Sequence, residues 1–217
     1  MNKTYQVIVV DDQPEGMEII MKLVKDIVWR QAHYSITYNI LSRRGEITNI
    51  NDLRGDIVLF DCNLSGANFD FSGYDESTYG FELIKRYREQ NKRTKIIFYS
   101  GSFDFSHEMD LGSLLLKDLV AMINELNIFK LCNREGPMLA DAITEAISNI
   151  DAVLVSLDEL IADFGETSEF HVGDTCISAA KLIDEIKKGS PIGEEFRAQV
   201  SETIITYFMK FGETVQQ

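Results

Sequence analysis

The sequence predicts an α/β fold: a doubly wound, five-stranded parallel sheet over residues 1–150, followed by an all-helical region over 151–217. Three observations predict it. Short, unbroken apolar runs alternate with segments of helical spacing through the first part of the chain, as they do when strands are buried on both faces by helices. Polar residues collect where those runs end, the rim at which a doubly wound sheet places its ligand site. After residue 150 the alternation stops, and apolar residues recur only in steps of three and four.

The elements follow in order. "QVIVV" (6–10), closed by Asp11-Asp12, reads as a buried strand. "EGMEIIMKLVKDIV" (15–28) places Met17, Ile20, Met21, Leu23, Val24 and Ile27 at helical spacing. "HYSITYNIL" (33–41), β-branched and aromatic, is the second strand. "NDLRG" (51–55) has room for one helical turn before the third strand, "DIVLF" (56–60). "YGFELIKRYREQ" (79–90) is an amphipathic helix with Phe81, Leu83, Ile84 and Tyr87 along one side, and "KIIFYS" (95–100) is the fourth strand. "SLLLKDLVAMINEL" (113–126) is a helix, "IFKLC" (128–132) the fifth strand, and "PMLADAITEAI" (137–147) a helix opening on proline.

In the C-terminal region a seam runs through Ile143, Ile147, Ile150, Leu154, Leu157, Ile161 and Phe164. It has two readings: a last helix extended over 143–164 that dimerises as a coiled coil, or one helix of an internal three-helix bundle. Further helices are expected over 174–189, with Asp174 as cap and Gly189 as stop, and over 190–212, with Phe196, Val200, Ile204, Phe208 and Phe211 on one side. Cys176 is expected packed within the first of these. His171 is expected in the loop before the Asp174 cap, with no phosphotransfer role.

The formal net charge is −14, with a pI near 4.6, and residues 151–217 carry thirteen acidic against five basic residues. No basic face is visible, so neither nucleic acid nor membrane is expected as a partner, and proteins, metal ions and small anions are. Three scattered cysteines, Cys62, Cys132 and Cys176, fit neither a disulfide framework nor a zinc site. The opening "MNKTYQVIVVDD" does not read as a signal peptide, and no apolar run reaches the roughly eighteen residues of a membrane span. A cytoplasmic location is expected.

The acidic residues at the rim carry the chemistry. Asp11 and Asp12 end the first strand, Asp61 the third and Ser100 the fourth, while Lys130 lies in or at the end of the fifth. Three carboxylates at one point repel one another unless a cation sits among them, and Mg²⁺ suits a site of a few hard oxygens that leaves room for a phosphoryl group. Asp61 is then placed to attack phosphorus, with the Ser100 hydroxyl and the Lys130 ammonium stabilising the phosphoryl oxygens. Taken singly, each aspartate is a turn or cap residue; taken jointly at one rim, they form a site.

"VIVVDD", "DIVLFD", "YGFELIKRYRE" and "KIIFYSG", in this order over residues 5–150, resemble the receiver domain of two-component response regulators, which has a flavodoxin-like fold. The resemblance implies that Asp12, Asp61 and the backbone carbonyl of Asn63 hold Mg²⁺ directly and that Asp11 acts through water. Asp61 accepts the phosphoryl group from a partner histidine kinase or phosphotransfer protein. Ser100 is the switch hydroxyl and Lys130 pairs with the phosphoryl group. An output protein, unidentified, receives the signal. The departures from the pattern are specific. Gly80 follows Asp61 by nineteen residues, so 62–79 is an insertion that either lids the pocket or is a plain surface loop. "SFDFSHEMDLG" lengthens the next connection, with His107 as a solvated residue. "KLCNREGP" lacks the Lys-Pro pair, and Asn127 occupies the place of the switch aromatic; either Lys130 or Arg134 supplies the cation. Two other functions stand beside this one: a receiver-like scaffold that is not phosphorylated, and a haloacid dehalogenase-like phosphatase. "FDCNLSG" only partly fits the latter, because Asn63 replaces its second aspartate.

Overall fold

The computed structural model describes residues 4–42, 53–64, 80–103 and 116–211. The chain divides into two compact units, Met1–Gln90 with Thr94–Ile150, and Asp151–Gln217 with Asn91–Arg93. Most of the 62–79 insertion, His107 and the first two residues of the 51–55 turn lie outside the described residues, and 53–55 are not helical.

In the first unit the elements are β1 (Thr4–Val10), α1 (Pro14–Ala32), β2 (Ser35–Leu41), β3 (Ile57–Asp61), α2 (Gly80–Gln90), β4 (Lys95–Ser100), α3 (Leu116–Asn124), β5 (Lys130–Asn133) and α4 (Gly136–Ser148). All five strands are parallel, in the order β2-β1-β3-β4-β5, as the unbroken apolar runs predict. Strand alternation sorts their side chains onto two faces. Val7, Val9, Ile57, Leu59, Ile97, Tyr99 and Cys132 face α1 and α4; Ile8, Val10, Val58, Phe60, Ile96 and Phe98 face α2 and α3. On α1, Met17, Met21, Val24 and Val28 form the fully buried stripe. At about 1.5–3 kcal/mol per buried side chain, that packing outweighs any helix propensity in holding α1 to the sheet.

β5 begins two residues later than the apolar run suggests, because Arg88 of α2 holds the turn before it. Its Nε donates to the Leu126 carbonyl at 2.6 Å and its Nη2 to the Asn127 carbonyl at 3.0 Å. Asn127 adopts φ +48°, a left-handed conformation that asparagine tolerates better than most residues. Lys130, expected in or at the end of the strand, therefore opens it. Lys130 is level with Ile97, whereas Asn133 is level with Ser100.

The second unit is helical as expected, with α5 (Ala152–Phe164), α6 (Ala179–Lys188) and α7 (Pro191–Phe211), and adds an antiparallel hairpin, β6 (Glu169–Val172) and β7 (Thr175–Ser178). The helix expected from 174 therefore starts at Ala179. Gly173-Asp174 is the two-residue turn, with Gly173 at φ +56°. Phe170 lies opposite Ile177 and both join the core, while His171 and Cys176 face outward. The packed Cys176 and the loop His171 are thus corrected to exposed strand positions. The seam is corrected too, because no single helix spans 143–164. α4 stops at Ser148 and α5 starts at Ala152, so Ile143 and Ile147 serve the first unit's core and Leu154 and Leu157 the second's. A coiled coil along this seam has no continuous helix to form on.

Asp151 makes the break. Its Oδ1 accepts from the Val153 amide at 3.0 Å, capping α5, and its Oδ2 pairs with Arg197 and, at 3.6 Å, with Arg93. Replacing Asp151 with alanine is expected to destabilise the second unit by about 1–2 kcal/mol. Amide hydrogen exchange at Val153–Leu157 should accelerate, while exchange at α1 should not change.

Candidate functional site

Sheet topology brings the acidic residues together. The sheet reverses its winding between β1 and β3, and both strands end in carboxylates at that switch point. Three hydrogen bonds carry the ladder past the strand ends and fix the rim: Asp11 N–H to the Leu41 carbonyl, Cys62 N–H to that of Tyr99, and Arg134 N–H to that of Ser100, at 3.2, 2.8 and 3.1 Å. One carboxylate oxygen from each of Asp11, Asp12 and Asp61 lies within 4.8 Å of the others.

Asp11 is fully buried. Its Oδ2 accepts from the Tyr99 hydroxyl at 2.6 Å; its Oδ1 accepts from the Gln13 amide at 2.7 Å and from Arg134 Nη2 at 3.2 Å. Burial still pushes its carboxyl above the usual aspartate range, against the pull of those three donors. Asp61 is pushed up to about 7, first by burial and then by the Asp11 charge; the Asn63 amide and Arg134 oppose the shift. The Tyr99 phenol, wholly buried beside both carboxylates, is held well above its ordinary value. The neighbouring Cys62 thiol is pushed up to about 11 by burial and by Asp61, which keeps it protonated.

Ser100 is buried, and its Oγ shares a hydrogen bond with Ser102 Oγ at 2.9 Å and accepts from the Ser102 amide at 3.2 Å. Lys130 is not brought to the carboxylates. Three residues below the rim, about 10 Å along the strand, its ammonium pairs with Glu145 of α4. Arg134, one residue past β5, is the cation at the site. Its Nη1 also donates to Gln13 Oε1 at 3.1 Å. Of the two cations the sequence left open, the fold delivers Arg134. Sequence reasoning missed Tyr99, whose hydroxyl is unremarkable inside an apolar run, and Gln13, whose backbone and side chain both serve the cluster. Gly80, although far along the chain, lies directly against Asp61. Its amide donates to the Cys62 carbonyl at 3.2 Å, and a β-carbon there would overlap the Asp61 carbonyl oxygen.

The strand order 2-1-3-4-5 defines a doubly wound, flavodoxin-like fold for the first unit, the fold that receiver domains share, with acidic residues at its switch point. No family model and no curated protein matches the sequence. Solved structures do. RcsB from Salmonella enterica serovar Typhimurium, bound to promoter rprA with the phosphomimetic BeF3−, is 18% identical with a TM-score of 0.44, covering 95% of this chain and 92% of that one. The same protein on promoter P1flhDC is 16% identical with a TM-score of 0.46, covering 97% and 93%. Its isolated REC domain is 15% identical with a TM-score of 0.45, covering 69% and 92%. These matches correct one expectation. Net charge excludes nucleic acid as a partner only if charge is spread evenly, and two of the matched structures are a response regulator on promoter DNA. That binding belongs to RcsB. Among the described residues, no helix is long and apolar enough to cross a membrane.

Two outcomes follow from the site. A carboxyl whose folded pKa of about 7 exceeds its unfolded value near 3.8 favours folding at low pH, and that contribution is lost as pH rises through 7. In chelator, Asp61→Asn should therefore raise the melting temperature at pH 8 and leave it nearly unchanged at pH 4, an effect on the order of a few kcal/mol. Gly80→Ala should cost about 1–3 kcal/mol through the overlap with the Asp61 carbonyl, measured by urea unfolding.

Proposed function

We propose that the first unit is the phosphoacceptor of a response regulator, with Asp61 taking a phosphoryl group from a phosphohistidine of a partner kinase in a Mg²⁺-dependent reaction. The observation that carries this reading is the meeting of Asp11, Asp12 and Asp61 within 4.8 Å at the switch point of the sheet. Three hard oxygen donors suit Mg²⁺, whose octahedral ligands stand about 3.0 or about 4.2 Å apart. A spread of up to 4.8 Å admits two direct ligands with the third linked through water. Asp12 and Asp61, with the Asn63 carbonyl, would hold the ion, and Asp11, whose Oδ2 is engaged by the Tyr99 hydroxyl, would act through water. When bound, the ion supplies positive charge to the carboxylates and to the phosphoryl oxygens.

The chain's own residues do the rest. An Asp61 carboxylate oxygen forms the bond to phosphorus as the phosphorus–nitrogen bond of the donor histidine breaks, and the electron pair leaves with the imidazole. Arg134 supplies the cation for which the pattern has lysine. Ser100, bonded to Ser102 in this state, offers a hydroxyl that can turn to a phosphoryl oxygen and draw the 100–102 loop with it. That movement would pass the signal to a partner protein.

Incubation with Mg²⁺ and acetyl phosphate should add one phosphoryl group to the intact protein. The addition should be absent from Asp61→Asn and from samples held in chelator. If mass spectrometry finds no adduct and beryllofluoride does not bind either, the phosphoacceptor reading fails and an interaction scaffold takes its place.

A further inference from the structure

The acidic cluster already holds a cation of its own. Asp11 has no exposed surface, and Arg134, only 13% exposed, reaches it from the residue just past β5. The guanidinium is held at three points: Asp11 Oδ1 at 3.2 Å, Gln13 Oε1 at 3.1 Å and the Gln13 carbonyl at 3.4 Å. Its backbone is tied to the Ser100 carbonyl. Nη2 lies over the first turn of α1, 3.6 Å from where a β-carbon on Gly16 would stand, an ordinary contact distance.

We propose that Arg134 is a tethered counter-ion that competes with the divalent metal for the acidic cluster, so that the metal binds only as the guanidinium gives up Asp11. The inference rests on the phosphoacceptor reading for the identity of the metal, but not for the contact itself. Two positive charges cannot share one buried carboxylate group cheaply, because each lowers the affinity of the cluster for the other. A guanidinium held by one carboxylate and two neutral acceptors exchanges more readily than one gripped by a carboxylate fork. Once released, it stays on its short tether beside Asp61, where the phosphoryl oxygens would come to lie. The protein would thus keep a neutralised, folded site at low metal and switch Arg134 to its second position only on loading.

The test uses the full chain, Mg²⁺ alone as probe and Arg134→Met, which keeps the length and removes the charge. Calorimetric titration should show the variant binding Mg²⁺ at least about tenfold more tightly than wild type. In chelator its melting temperature should fall below that of wild type, and the gap should close at saturating Mg²⁺, which a merely structural arginine would not produce. Equal or weaker Mg²⁺ affinity in Arg134→Met overturns the proposal; if wild type still forms the Asp61 adduct, the phosphoacceptor reading survives that result. Absence of Mg²⁺ binding by both proteins overturns both. Should Arg134→Met fail to fold, Gln13→Ala removes only the Nη1 acceptor. It is expected to tighten Mg²⁺ about two- to threefold, and an unchanged affinity there overturns the proposal equally.

Discussion

Like charges crowded at the end of a parallel sheet are the constraint on which the first unit depends. The strand order that buries β1 and β3 side by side also sets their terminal carboxylates side by side. Water cannot screen Asp11, which has no exposed surface. The surroundings respond with donors: the Tyr99 hydroxyl from inside the sheet, the Gln13 amide from the entry to α1, and the Arg134 guanidinium from beyond β5. Each comes from a different element, so the cluster binds three parts of the fold to one point. Burial and the Asp11 charge nevertheless push Asp61 up to about 7.

The second unit rests on a different device. Asp151 joins helix capping to ion pairing with Arg93 and Arg197, and Arg93 continues to the Ile186 carbonyl and to Glu194. Surface ion pairs are individually weak. The two pairs on Asp151 are partly buried and share one carboxylate that also caps a helix, so losing one partner disturbs the other. The core they surround is small and depends on both sides of the hairpin, through Phe170, Val172 and Ile177, and on Phe196 of α7. Along α7, Phe196 and Val200 join this core, whereas Ile204 stands half exposed.

Errors in the sequence reading have local causes. The hairpin at 169–178 is hidden because four-residue strands show too little alternation to outweigh a following helical pattern, although Gly173-Asp174 between "FHV" and "TCI" is a turn signal. The seam from Ile143 looked continuous because a helix that ends and another that begins in phase leave the three-four spacing intact. Only the cap chemistry of Asp151 marks the break. Lys130 opens β5 because the strand starts two residues later than the apolar run, after a turn held by a buried arginine of α2 thirty-eight residues away.

Periodicity and order along the chain determined the parallel sheet, its helices, and the placing of Asp11, Asp12, Asp61 and Ser100 at strand ends. Those follow from which faces are apolar and where the runs stop, and both are local properties. Tertiary structure alone decided which cation meets the carboxylates, that Tyr99 turns its hydroxyl to Asp11, and that Gly80 packs on Asp61 across a long insertion. Each of these depends on register between segments far apart in sequence, and a linear pattern carries no distance between its parts.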